Sequence, residues 1–146
     1  PGLGPDHFAG VSTSAPLRKV LGAEEILRIQ DVVPRVPAAD HVYQFALKLV
    51  RLSRPEEPAA PAYVKQCLSW GAGPRAAQNL IHCSKAHALL HGRYHVSTED
   101  VEAVAIPVLA HRLVTSFNAE SEGITPEGIV ERLLKDVPRG AAERLR

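Results

Sequence analysis

From Leu21 onward the apolar side chains recur at the three- and four-residue spacing of α-helices, punctuated by proline and glycine. In "GAEEILRIQDVV", Ile26, Ile29 and Val33 fall on one face behind Glu24 and Glu25, whose charges suit a first turn, and Pro34 and Pro37 end the run. "AADHVYQFALKLVRLS" carries the clearest stripe, made of Val42, Phe45, Ala46, Leu49 and Val50. Beyond the proline-rich loop "RPEEPAAP", Tyr63, Val64, Cys67 and Leu68 sit at i, i+1, i+4 and i+5, which predicts a helix ending at Gly71. A long Ala- and Leu-rich helix follows from Pro74 to about His91, closed by Gly92.

Tyr94 to Val96 is at most a short extended piece. Ser97 and Asp100 then stand at capping-box spacing ahead of "VEAVA", Pro107 breaks or kinks the path, and "VLAHRLVTSF" resumes a helix. A last helix has Thr125 as its cap, Pro126 at its first position, and Ile129, Val130, Leu133 and Leu134 as its inward stripe. With no internal repeat and no convincing strand, the pattern predicts an all-α protein, a small helical bundle. The first 20 residues, rich in Gly, Pro and Ser and without period, read as a linker or tag remnant. The domain is expected over 21–137, with a tail at 138–146.

A chain of 146 residues has room for one core. Apolar residues at 45% and charged residues at 23% are ordinary for a globular domain, and the low aromatic share points to aliphatic packing. A net charge of +1 supplies no global field for nucleic acid or an anionic membrane. No apolar run approaches the ~18 residues that span a bilayer. Cys67 and Cys83 form no C-x-x-C pair and no secretory leader is recognisable, so a reducing, cytoplasmic compartment is expected, with a disulfide left open. The chain has no Met, even at position 1, which suggests that Pro1 is a cut edge and that the protein extends upstream.

Candidate chemistry concentrates in "SWGAGPRAAQNL". Gly71, Gly73 and Ala76 fit G-x-G-x-x-G/A, a phosphate-cradling turn, but that motif requires a preceding strand and an acidic residue about twenty positions on, within a βαβ unit. The segment before Gly71 has helical spacing and the first acid after it is Glu99, so the cradle is set aside. The same letters place Pro74 in a helix's first turn and project the fixed positive charge of Arg75 from its start. There is no G-x-x-x-x-G-K-[ST], H-E-x-x-H or G-x-S-x-G, and no apolar run ending in Asp-Glu, so this segment alone is expected not to hydrolyse ATP.

Cys83, His87 and His91 lie at i, i+4 and i+8, but a helical rise separates the outer two by roughly 12 Å, too far for one metal, so at most a pair could bind and no metal site is expected. His87, among Ala76, Leu80, Cys83 and Leu90, reads as a hydrogen-bonded core histidine. The outward positions of the long helix, Gln78, His82, Lys85 and Leu89, are too mixed for a recognition helix, so no nucleic-acid partner is expected.

In order, "VLGAEEILRIQDVVPRVPAADHV", "LVRLSRP", "WGAGPRA", "KAHALLHGRYHVSTEDVEAVAIPVLAHRL" and "EGITPEGIVERLL" resemble the C-terminal helical lid of the MoxR family of AAA+ ATPases, across residues 20 to 137. The resemblance implies a helical bundle beside an upstream nucleotide-binding α/β core, which would bind most of the ATP and Mg. It implies that Arg75, in the G-A-x-P-R motif with Gly73 and Pro74, is the "sensor 2" arginine reaching a γ-phosphate, a role suited to an always-charged forked donor. It also implies a hexameric ring of subunits, a chaperone-like role in maturing partner proteins, and partners bearing von Willebrand factor A domains. Gly22 stands where the family often has Ser. His87 and His91 replace an aliphatic and a small polar or acidic residue. Arg93 and Arg112 are assigned to packing, caps or interdomain contacts. The alternative reading, from residues alone, is a free-standing helical module that binds protein or DNA.

Overall fold

The computed structural model describes residues 18–139. All but the last three residues of the expected linker, and all but the first two of the expected tail, lie outside this range. Seven α-helices run in order: α1 (Ala23–Val32), α2 (Asp40–Leu52), α3 (Ala62–Cys67), α4 (Arg75–Leu90), α5 (Thr98–Leu109), α6 (Phe117–Ser121) and α7 (Pro126–Asp136). Single 3-10 turns follow α1 at Val33–Arg35 and α5 at Ala110–Arg112. Two short strands, β1 (Leu68–Trp70) and β2 (Val114–Thr115), pair antiparallel with Leu68 opposite Thr115 and Trp70 opposite Val114. The all-α architecture is as the periodicity predicts, with this ribbon added to it.

The core forms where α2, α4, α5 and α7 meet. The predicted α2 stripe, Val42, Phe45, Ala46, Leu49 and Val50, is buried in full, against Leu80 of α4, Val101 and Leu109 of α5, and Val130 and Leu133 of α7. Phe45 is the one buried aromatic side chain among the described residues, so packing is aliphatic. Burying each such side chain contributes about 1.5–3 kcal/mol against exposure, which is why these four helices and not the shorter ones define the bundle.

Helix ends follow local chemistry. Gly92, at φ +68°, closes α4: its N–H bonds to Leu89 O at 2.9 Å and the Arg93 N–H to Ala88 O at 2.9 Å, the paired bonds of a Schellman stop. Thr125 Oγ1 accepts from the Gly128 N–H at 3.2 Å, with Pro126 opening α7. Gly22 lacks a capping side chain, yet Glu25 reaches back to accept the Gly22 N–H at 2.6 Å, half of a capping box. Glu25 is therefore more than the first-turn charge its position suggests.

Two sequence expectations give way. The helix expected to run to Gly71 stops at Cys67, and Leu68 continues the inward face as a strand residue. Six residues carry too little periodicity to separate a helix from a helix plus strand, and the distant partner at 114–115 decides it. The helix expected to resume over 108–117 is likewise absent. α5 continues through Pro107 for two residues, tightens into the 3-10 turn, and emerges extended at Leu113 to pair with β1. Near Tyr94–Val96 the extended piece is a single bridge, Val96 to Ala38.

Candidate functional site

β1 leads into a turn, Gly71 to Pro74, and the turn into α4. Gly71 is buried against the end of α2: a Cβ there would lie 2.6 Å from Arg54 Cα and closer still to the Ser53 carbonyl oxygen. The glycine therefore serves a close backbone crossing, not the helix stop expected of it. Ala72 is held at both polar groups, its N–H by Ser53 Oγ at 3.1 Å and its carbonyl by Arg54 Nε at 2.9 Å. Gly73 and Pro74 are exposed, and a Cβ on Gly73 would meet nothing within 4 Å. Pro74 already has helical dihedrals, φ −57° and ψ −34°, so it starts α4 without a side-chain cap.

Arg75 is the first residue of α4 and exposed, its side chain making no hydrogen bond or ion pair to any described residue. Helix starts favour negative charge by about 0.3–1 kcal/mol, yet the first turn of α4 holds no acid and this cation instead. A local rule broken at one exposed place marks a candidate functional position. A guanidinium at an exposed helix start suits an oxyanion such as a phosphate oxygen. Beside it, a shallow pocket of about 420 Å³ is lined by Arg54, Glu56, Trp70, Gly73 and Pro74, with Trp70 64% exposed. Three of the residues singled out in the sequence, Gly73, Pro74 and Arg75, thus lie consecutively on one exposed corner. Ser53 and Arg54, which hold that corner, are missed by motif spacing because they lie some twenty residues earlier in the chain.

The strand that a dinucleotide cradle requires does precede Gly71, contrary to the helical reading of that segment. Its only strand neighbour among the described residues is antiparallel β2, so no βαβ unit surrounds the G-x-G-x-x-A letters.

At the other end of α4, Asp100 is fully enclosed and gathers five hydrogen bonds from three residues. Arg93 forks onto both carboxylate oxygens, its bond to Oδ2 measuring 2.6 Å; Ser97 N–H donates at 2.9 Å and Ser97 Oγ–H at 3.1 Å; His87 Nδ1–H donates at 2.7 Å. Burial alone would raise the Asp100 carboxyl, but the bonds from Arg93, Ser97 and His87 outweigh it and hold the group well below the usual carboxylate range. His87 is thus the hydrogen-bonded, half-buried histidine its apolar neighbours suggest, and Arg93 a packing and capping residue. The His91 ring lies on that of His87, centroids 4.1 Å apart, and its Nδ1 donates to His87 O at 2.8 Å. Arg112 donates to Val108 O at the end of α5. Cys67 and Cys83 are half-buried free thiols. Among the described residues no group of three or more His, Cys, Asp or Glu side chains is arranged to hold a metal ion. No helix among them is long and apolar enough to cross a membrane.

The family model of the AAA lid domain matches residues 61–133, half the chain, and the chain belongs to that family. Its relatives include MoxR proteins, the family whose lid the ordered motifs resemble. The chaperone MoxR1 of Mycobacterium tuberculosis is 30% identical over 120 residues, 82% of this chain and 32% of that protein. Protein MoxR of Paracoccus denitrificans is 35% identical over 74 residues, 49% of this chain and 22% of that protein. A crystal structure from Cytophaga hutchinsonii, of a protein provisionally named an ATPase, superposes with a TM-score of 0.75 at 29% identity, over 80% of this chain and 36% of that one. The chain spans about a third of the length of the relatives it matches most fully.

Proposed function

We propose that this chain is the nucleotide-sensing lid of a longer MoxR-type ATPase, and that Arg75 is its sensor 2 residue. The observation that supports this best is the unpaired Arg75 guanidinium on an otherwise uncapped, acid-free helix start, in a chain of the AAA lid family. In this reading the nucleotide-binding core supplies most contacts to ATP and Mg. Gly73 and Pro74 let the backbone approach the nucleotide, and Arg75 places its fixed charge on the γ-phosphate, where charge redistributes during transfer. Movement of the rigid bundle would then couple nucleotide state to the packing of neighbouring subunits in a hexameric ring. By analogy with the chaperone MoxR1, the whole protein would act as a chaperone on partner proteins. From the family resemblance, those partners would include von Willebrand factor A domain proteins, in the cytoplasm.

In the full-length protein, Arg75→Ala should lower ATP turnover by on the order of a hundredfold, the scale for one preorganised charge donor. Thermal unfolding should barely move, because the Arg75 side chain is exposed and makes no hydrogen bond or ion pair within the bundle. A variant that hydrolyses ATP at the unmodified rate would remove the sensor role.

A further inference from the structure

No hydrogen bond or ion pair from the described residues holds the exposed Arg75 side chain, so its aim is set by the backbone before it. That backbone is fixed at one residue. Ala72, three positions earlier, has its N–H on Ser53 Oγ and its carbonyl on Arg54 Nε, and Ser53 Oγ is itself pinned by donating to Val50 O at 2.7 Å. Ser53 and Ala72 are fully buried and Gly71 beside them is in backbone contact with α2's end, while Gly73 and Pro74 beyond them are exposed. Holding both polar groups of one peptide residue fixes the direction in which the chain leaves it. The last clamp before the exposed turn is therefore the Arg54 bond.

We propose that Arg54 is a positioning residue for Arg75, acting through its Nε–H on the Ala72 carbonyl and not through its charge. The proposal rests on the sensor role given above. The atoms make the two roles separable: a glutamine at this position carries its amide nitrogen at the same place along the side chain as arginine's Nε, so it keeps the donor and discards the charge. A methionine keeps the length and apolar stem and discards both.

The test is steady-state ATP hydrolysis by the full-length protein carrying Arg54→Met, Arg54→Gln, Arg75→Ala, and Arg54→Met with Arg75→Ala. Arg54→Met should lower kcat about tenfold with little change in the KM for ATP, the usual result of a reacting group held slightly out of line. Arg54→Gln should recover most of that loss, and Arg54→Met should cost nothing further once Arg75 is alanine. Equal damage from glutamine and methionine would overturn the proposal in favour of a charge role. So would an unchanged kcat in Arg54→Met, or the same tenfold loss with and without Arg75. Should Arg54→Met not fold, Ser53→Ala removes the other bond to Ala72 and is expected to lower kcat in the same Arg75-dependent way; an Arg75-independent effect overturns the proposal equally. Failure of the sensor reading is distinct, because Arg75→Ala alone then leaves turnover intact.

Discussion

The Asp100 carboxylate shows how one side chain can join two helices. It receives the end of α4 through His87, the following turn through Arg93, and the start of α5 through Ser97, while the carboxylate itself is fully enclosed. Removing the charge leaves those donors facing an amide, and breaking a buried pair of this kind costs about 3 kcal/mol. Asp100→Asn should therefore shift the urea midpoint strongly at pH 7. Its folded-state value lies below the ordinary carboxylate value of about 4, so the stability it contributes is complete above that pH and is lost as pH falls through the folded-state value. Between pH 7 and pH 3 the gap between the unmodified chain and Asp100→Asn should narrow by about 1 kcal/mol. A gap of constant size would mean that Asp100 is not held below its unfolded value. The two turn glycines make a second contrast. Gly71→Ala forces a methyl into the Ser53–Arg54 backbone and should destabilise by about 1–3 kcal/mol, whereas Gly73→Ala meets empty space at an ordinary φ and should be neutral or slightly stabilising. Paired thermal melts separate them, and equal losses would contradict the crossing seen at Gly71.

At the scale of elements, stripes that repeat over three turns or more were readable from the sequence. α2, α4 and α7 lie where their periodicity puts them, because an apolar face that long has one energetically sensible burial. Segments of six to ten residues were not readable in this way. Leu68–Trp70 and Val114–Thr115 become strands only because each meets the other across the fold, information that neither window contains. At the candidate site the same division holds: Arg75 stands in a motif, while its support from Ser53 and Arg54 arises from a chain crossing. α1 is the instructive middle case, a helix as its pattern predicts but with none of its residues buried, Ile26, Leu27 and Ile29 being 44–60% exposed. Ile29→Glu should therefore leave the denaturation midpoint of this chain nearly unchanged, while Leu49→Ala in α2 should cost about 2–5 kcal/mol. A large loss from Ile29→Glu would show that α1 carries core energy after all.

For the whole molecule, this uneven burial implies uneven cooperativity. α2, α4, α5 and α7 share one aliphatic core, and the Asp100 network ties α4 to α5, so these helices can open only together. α1 is joined to them through the 3-10 turn, where Val33 is buried and Lys85 Nζ bonds to Pro34 O at 2.8 Å, so α1 can unwind without disturbing the core. Hydrogen exchange should then resolve two tiers. Amides of α1 from Ile26 to Val32 should exchange through local opening of roughly 0–2 kcal/mol, and those of Leu80, Val101 and Leu133 only through global unfolding. Equal protection of Ile29 and Leu80 would contradict a core that leaves α1 out. The candidate site sits on the protected tier, because α4 begins at Arg75 and the turn before it is bonded to the end of α2. An arginine meant to find one phosphate oxygen repeatedly needs that rigid mounting, since its own flexible side chain supplies none.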